Sequence, residues 1–239
     1  MKHDSYHNPS SLFSALQDLT QVFPVVPIFK KNNLLASTKE EYKKRLGVTY
    51  TFFLEFASEA TCKQVKKQVH RALIAGHISR EQKWLGAFFH QEIVEQRLPP
   101  LSIHWIEHLE FGVFAEEGLL QNTFVGEYTG SLRKKSRKND EKNGYGFEYV
   151  IGDRETNYTI DAKDYGNHTR FINHAQEGNC VSKLIFHEGI MRVILVTARD
   201  IQKGEQLTYD YGAEYWENRE ESSVPQLAIP RRNRAFSSI

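Results

Sequence analysis

The residues with chemical potential in this 239-residue chain fall into three runs, all in its second half. In the last run, Lys203-Gly204-Glu205-Gln206-Leu207-Thr208-Tyr209-Asp210-Tyr211-Gly212, two phenols flank one carboxylate. At a strand end the side-chain period of two puts Tyr209 and Tyr211 on one face. Such a pair either packs across strands or lines a site. The middle run extends from Asp161 to His174 and on to Asn179-Cys180. It sets the polar pair Asn173-His174 directly after the apolar Phe171-Ile172. That pair is either a capped turn or part of a site. The first run holds Phe111-Gly112-Val113-Phe114-Ala115 and Phe124-Val125-Gly126-Glu127-Tyr128-Thr129-Gly130. Gly112 stands where a backbone could approach a ligand closely. No residue in the three runs stands out as a conventional general base.

The elements that must position these runs differ between the two halves of the chain. Residues 101–130 cluster β-branched and aromatic side chains between turns: Ile103, Trp105, Ile106; Phe111, Val113, Phe114; Phe124, Val125, Tyr128. That is a strand pattern. Residues 145–151, 157–161 and 190–198 read as further strands, with Met191–Val196 a buried run. Before Leu98-Pro99-Pro100 the spacing is helical, over 12–20, 38–46, 49–75 and 79–97. Glu40-Glu41 at one end and Lys43-Lys44-Arg45 at the other suit a helix dipole. Ser79 with Gln82 is a capping box, and Gly76 is a stop between two helices. Residues 131–144 read as a charged loop. It is either a solvated hairpin tip or, through Arg133–Lys138, a docking patch for an acidic partner such as nucleic acid. No aromatic residue is interleaved with those charges, so no base-stacking platform is visible. A second basic cluster is Arg231-Arg232-Asn233-Arg234 in the tail. Either cluster could serve as a nuclear-import address.

Composition removes several classes of function. The chain has 31 Lys+Arg against 30 Asp+Glu, a formal charge of +1, so bulk charge cannot hold it to DNA or to a membrane. Fifteen Phe, 11 Tyr and 3 Trp supply enough aromatic surface for a packed core. Two cysteines, Cys62 and Cys180, exclude a disulfide framework and a zinc site built from three or four cysteines. Their number fits a reducing compartment. No apolar run reaches the ~18 residues of a spanning helix, so no membrane partner is expected. The N-terminal residues lack the apolar core of a secretory signal.

The three runs, in this order and at these spacings, resemble the SET domain of protein lysine methyltransferases. Arg170-Phe171-Ile172-Asn173-His174 and Gly204-Glu205-Gln206-Leu207-Thr208-Tyr209-Asp210-Tyr211-Gly212 carry the likeness. The resemblance implies an α+β, β-rich fold of small curved sheets with a C-terminal pseudoknot, over residues 101–216. A helical region, residues 1–100, would precede it, and a tail, 217–239, would follow. The implied cofactor is S-adenosyl-L-methionine. The implied contacts are Phe111, Gly112, Val113, Phe114, Tyr165, Arg170, Asn173 and His174, with Trp216 as a lid over the adenine. Tyr211 matches the family's catalytic tyrosine. Tyr145 would line the lysine channel with Tyr209, and Tyr149 is a second candidate on Tyr145's strand. A tyrosine at position 209 favours mono- or dimethylation in this family. The implied activity is protein-lysine N-methylation of a Lys-rich substrate, a histone tail or a bacterial histone-like protein. The alternative is a degenerate SET domain that binds protein without catalysis.

Two departures from the family pattern bear on these expectations. The usual Gly-x-Gly reads Glu110-Phe111-Gly112, and Gln176 stands where many members have a zinc-binding cysteine. With no C-terminal cysteine cluster either, no zinc and no other metal is expected in the protein. A short SET protein without zinc modules resembles the chlamydial type of bacterial effector. That likeness implies a bacterial cytoplasm, or export without a conventional signal into a host cell and its nucleus. Glu214, Glu217, Glu220 and Glu221 form either an exposed acidic helix or a selector for basic tails. The N-terminal helices could bind substrate, form a homodimer or support the core.

Overall fold

The computed structural model describes residues 23–136, 140, 143–212 and 215. The helix expected over 12–20, the Arg231–Arg234 cluster, the acidic run after Ala213 and Trp216 lie outside the described residues, as do Arg137 and Lys138.

The chain opens with β1 (Ile28–Lys30) and β2 (Asn33–Ala36), then α1 (Lys39–Leu46), β3 (Thr49–Tyr50) and β4 (Glu55–Phe56). Three helices follow: α2 (Glu59–Ile74), α3 (Arg80–Phe88) and α4 (His90–Glu95). The remainder is strand-rich: β5 (Leu101–Ile106), β6 (Glu110–Ala115), β7 (Phe124–Glu127), β8 (Ser131–Lys134), β9 (Gly146–Ile151) and β10 (Arg154–Asp161). After β11 (Tyr165–Gly166) and a 3-10 turn (His168–Phe171) come β12 (Asn173–His174), β13 (Cys180–His187), β14 (Ile190–Thr197) and β15 (Thr208–Tyr209).

Local chemistry sets the helix ends. Thr38 and Glu41 form a reciprocal capping box on α1, and Ser79 and Gln82 do the same for α3. Each box satisfies two otherwise orphaned backbone donors. The helix expected over 49–75 begins only at Glu59, where the Ser58 side chain accepts from Thr61 N–H. Residues 49–56 are extended instead. Thr49-Tyr50 pairs in parallel with Tyr165-Gly166, and Glu55-Phe56 with Ser131-Leu132. Remote backbone partners and buried aromatics outweigh helical spacing there. The helix expected over 79–97 breaks at Phe89, which leaves helical geometry (φ −91°, ψ 15°) to end α3 and begin α4. The charged loop expected over 131–144 starts as strand β8, paired with β10.

Among the described residues the strands form four sheets, in the orders β2-β1-β5-β6, β4-β8-β10-β9, β11-β3 and β12-β15-β13-β14-β7. β14 is buried along its whole length and pairs with β13 and β7. Its single charge, Arg192, is matched by Glu127 on β7 at 2.9 and 3.1 Å. One core joins Tyr42, Tyr50, Ile103, Val113, Phe171 and Leu207, and so knits both halves of the chain. A second packs α2 (Val65, Val69) on β9, β10 and β14. A third seats Phe89 and Ile93 on Ile185 and Ile194.

Candidate active site

The site is made by one late insertion. β15 lies between β12 and β13, although those two strands are adjacent in sequence. Asn173 pairs with Thr208 and His174 with Tyr209, in parallel register. The connection 175–179 crosses β15 at Gly178, where a Cβ would lie 2.6 Å from Tyr209 Cα and 2.7 Å from the Thr208 carbonyl oxygen. Only glycine permits that crossing. Asn179 locks it: its Nδ2 donates to the Gln206 carbonyl (2.8 Å) and its Oδ1 accepts from Thr208 N–H (2.9 Å).

This arrangement aims the chemistry-bearing side chains at one open cavity of about 1740 Å³. Tyr211 donates its hydroxyl proton to the Ile172 carbonyl at 2.7 Å, so the phenol is fixed in direction. The Tyr211 N–H donates to His174 Nδ1 at 3.2 Å. Tyr211 stands 4.7 Å, ring to ring, from both Tyr209 and Tyr215. Across the cavity, the Arg170 guanidinium lies 3.9 Å over the Tyr145 ring, and Tyr128 donates its hydroxyl to the Tyr145 carbonyl at 3.0 Å. Arg170 is itself held by the Ala162 carbonyl at 2.7 Å. Burial pushes the Tyr128 and Tyr209 phenols well above their ordinary pKa. These two rings are therefore neutral across the physiological range. They offer faces and hydroxyls, not phenolates.

On the opposite wall Asn173 Nδ2 donates to the Phe111 carbonyl at 2.9 Å and ties β12 to β6. Gly112 makes the approach fit, because a Cβ there would come within 3.2 Å of Asn173 Nδ2 and 2.6 Å of Ile106 Cδ1. Glu110, at the family's first glycine position, has φ +64°. That is the left-handed region that favours glycine.

Of the residues singled out from sequence, Phe111, Tyr145, Arg170, Asn173, His174, Tyr209 and Tyr211 all line this cavity. Others lie elsewhere. Gly112 packs behind the wall, Val113 is fully buried in the core, and Phe114 stacks edge-on against His104. Tyr165 is 41% exposed, away from the cavity. Tyr149 does not face the channel. It is fully buried, and its hydroxyl accepts from Met191 N–H. Sequence reasoning missed the cavity-lining Tyr128, Phe147, Tyr215 and the Leu46-Gly47-Val48 wall. Tyr128 sits in a quoted strand run, and its aromatic type was the available signal. The 46–48 wall has no local signal, since α1 brings it from the other half of the chain.

Two members of the basic run, Arg133 and Lys135, are paired within the chain. Arg133 is bound by Asp140 (2.5 Å) and Asp161 (2.8 Å), and Lys135 pairs with Glu148. Those charges are matched within the chain, and they support the cavity rim.

Residues 110–212 match the SET domain family. The chain is 40% identical over 117 residues to a histone-lysine N-methyltransferase, H3 lysine-4 specific, of Schizosaccharomyces pombe, covering 47% of this chain and 12% of that protein. It is 36% identical over 136 residues to N-lysine methyltransferase KMT5A-A of Xenopus laevis, covering 52% and 38%. With histone-lysine N-methyltransferase Set8 of Drosophila melanogaster it shares 31% over 153 residues, 60% and 22%. The chain thus spans well under half the length of these relatives. A solved structure of a Chaetomium-type polycomb repressive complex 2, ctPRC2 bound to S-adenosylmethionine, aligns at TM-score 0.43 and 28% identity, over 51% of this chain and 16% of that one. The sequence match coincides with strands and loops that build the cavity: residues 110–212, somewhat under half of the chain, are similar to the SET domain.

Proposed function

We propose that this protein is an S-adenosylmethionine-dependent protein-lysine N-methyltransferase acting on histones or histone-like basic proteins. The observation that carries the proposal is the convergence of Asn173, His174 and Tyr211 on one cavity inside a matched SET domain. The residues present fit the cofactor. Aromatic faces, the Glu110 carboxylate and the Gln176 amide surround a space large enough for a nucleoside sulfonium. Phe111, Arg170, Asn173 and His174 would hold it. When bound, the sulfonium supplies an electrophilic methyl group.

The remaining chemistry belongs to the chain. A lysine side chain has a pKa near 10.4 and arrives protonated. Tyr145, Tyr209 and Tyr211 present ring faces that accept the ammonium on entry. Desolvation between those rings lowers the amine's proton affinity, and the proton leaves through water, since the buried phenols stay neutral. The Tyr211 hydroxyl, its proton engaged by Ile172, turns its lone pairs to the cavity. Alignment and fixed dipoles account for most of the acceleration. Tyr209 narrows the channel and favours mono- or dimethylation.

The finer parts of the proposal rest on sequence likeness. They are a threaded C-terminal crossing of the pseudoknot kind, supported by the insertion of β15 between β12 and β13, and the three-part division at residues 100 and 216. They also include kinship with chlamydial-type effectors, residence in a bacterium or its host nucleus, and a homodimer through N-terminal helices.

The test is methyl transfer from labelled S-adenosylmethionine to core histones and to a Lys-rich bacterial DNA-binding protein. Tyr211→Phe should lower the rate by roughly 100-fold, about 2.7 kcal/mol of transition-state stabilisation. Asn173→Ala should abolish labelling by freeing the Phe111 wall. Cofactor binding without transfer to any basic protein would leave a binding module in its place.

A further inference from the structure

His90, His187 and Glu188 gather on the side of the molecule where α4 meets the β13–β14 hairpin. Their ligand-type atoms all lie within 4.8 Å of one another. His90 Nδ1 and His187 Nε2 are already 2.9 Å apart. None of these residues lines the SET cavity. We propose that they form a binding site for a borderline divalent transition metal, zinc in the first instance, that staples α4 to the hairpin.

His187 is only 4% exposed, and its Nδ1 has no hydrogen-bond partner. The buried Nδ1 is free to carry the ring proton, which leaves the Nε2 lone pair, turned to His90, as the donor. A metal there replaces one neutral imidazole–imidazole hydrogen bond with two coordinate bonds. The donor set, two imidazoles and one carboxylate, suits zinc, nickel or copper(II) and leaves a fourth position for water. Metal–nitrogen bonds of roughly 2.0–2.1 Å hold two tetrahedral ligands somewhat over 3 Å apart. The imidazoles therefore need only a small separation, and the Glu188 carboxylate a shift of about an ångström or two. The supports are firm. His90 opens α4, whose neighbours Phe89 and Ile93 pack on Ile185 and Ile194. Glu188 sits in the two-residue hairpin turn with Gly189, both at positive φ, which sets it beside His187. The nearby Arg192 charge is neutralised by Glu127. This proposal departs from the expectation of no metal, which was drawn from missing cysteines; the present group contains none and is assembled from remote parts of the chain.

The full-length chain, stripped with chelator, is titrated with zinc(II) by calorimetry, and its melting temperature is followed with and without the metal. One equivalent should bind, and the melting temperature should rise. His90→Gln and Glu188→Gln alter exposed residues and leave the core intact. Each should weaken zinc binding at least 10-fold and remove the thermal shift. Cobalt(II) should give visible bands that the same variants lose. Absence of saturable binding, or one equivalent held equally well by both variants, would overturn the site and leave an imidazole–imidazole hydrogen bond only. Methyl transfer plays no part in these readouts.

Discussion

The chain before Pro100 and the chain after it meet their partners in opposite ways. After Pro100, long strands pair with sequence neighbours, as β13 with β14 along eight residues and β5 with β6 along six. Before Pro100, strands of two or three residues each attach in parallel to a remote edge: β1 to β5, β3 to β11 and β4 to β8. The first kind of pairing is nearly self-sufficient. The second holds only because packing supports it, with Tyr42, Tyr50 and Leu54 buried against the later half. The difference teaches that the early segment closes the edges of the later sheets and supplies one wall of the cavity at 46–48.

The strongest way to break this comparison is to cut the halves apart. A fragment of residues 101–239 would expose the β5, β8 and β11 edges and lose the aromatic core of Tyr42 and Tyr50. It should show no cooperative thermal transition by near-UV circular dichroism. A fragment that melts cooperatively would make the early half an accessory. The next largest effect falls within the later half, at the crossing. Gly178→Ala drives a methyl into the backbone of Thr208 and Tyr209, which cannot give way as a side-chain tip would. It should cost about 3 kcal/mol, roughly 10 °C in melting temperature, and most methyl transfer.

The same contrast explains what was legible in the sequence. Strands after Pro100 announced themselves through β-branched and aromatic clusters whose partners are close by. The capping box at Ser79 and the charge gradient over 38–46 were likewise local. Residues 49–56 carried no such signal, because their extended form comes from Asp164–Gly166 and Gly130–Leu132, far along the chain. The cavity was legible where motif residues line it directly, as at Asn173, His174 and Tyr211. It was not legible where geometry decides. Tyr145 lies in the turn before β9 and lines the cavity, whereas Tyr149, within β9, is buried in the core beneath α2. The Leu46–Val48 wall is a tertiary fact with no motif.

A subtler joint between the halves is His168. Its Nε2 donates to the Val125 carbonyl at 2.8 Å, and its Nδ1 accepts from the Tyr50 hydroxyl at 3.4 Å. Complete burial pushes its pKa down from 6.5 to about 4. The folded state therefore disfavours the protonated ring. Its contribution is complete above about pH 6.5 and is lost as pH falls through 4. The shift corresponds to about 3 kcal/mol. Urea midpoints should fall steadily across that window. A midpoint that stays flat would mean that the joint between Tyr50 and the later half opens without unfolding the protein.

The smallest effect sharpens the comparison from within the later half. Glu110 holds φ +64°, a conformation that costs an L-residue roughly 1–2 kcal/mol. Glycine would remove that strain but would free the unfolded chain, returning about 0.5–1 kcal/mol of the gain. Glu110→Gly should thus stabilise the protein by about 0.5–1 kcal/mol, seen as a small rise in melting temperature. It also deletes a carboxylate from the cavity wall. If that carboxylate serves the cofactor, the S-adenosylmethionine Kd must rise while the melting temperature rises as well. Opposite movements of stability and affinity would identify a residue kept for its charge against the preference of the backbone. Stability rising with affinity unchanged would assign Glu110 to the turn alone, and the grip on the cofactor would fall to Phe111, Asn173 and His174.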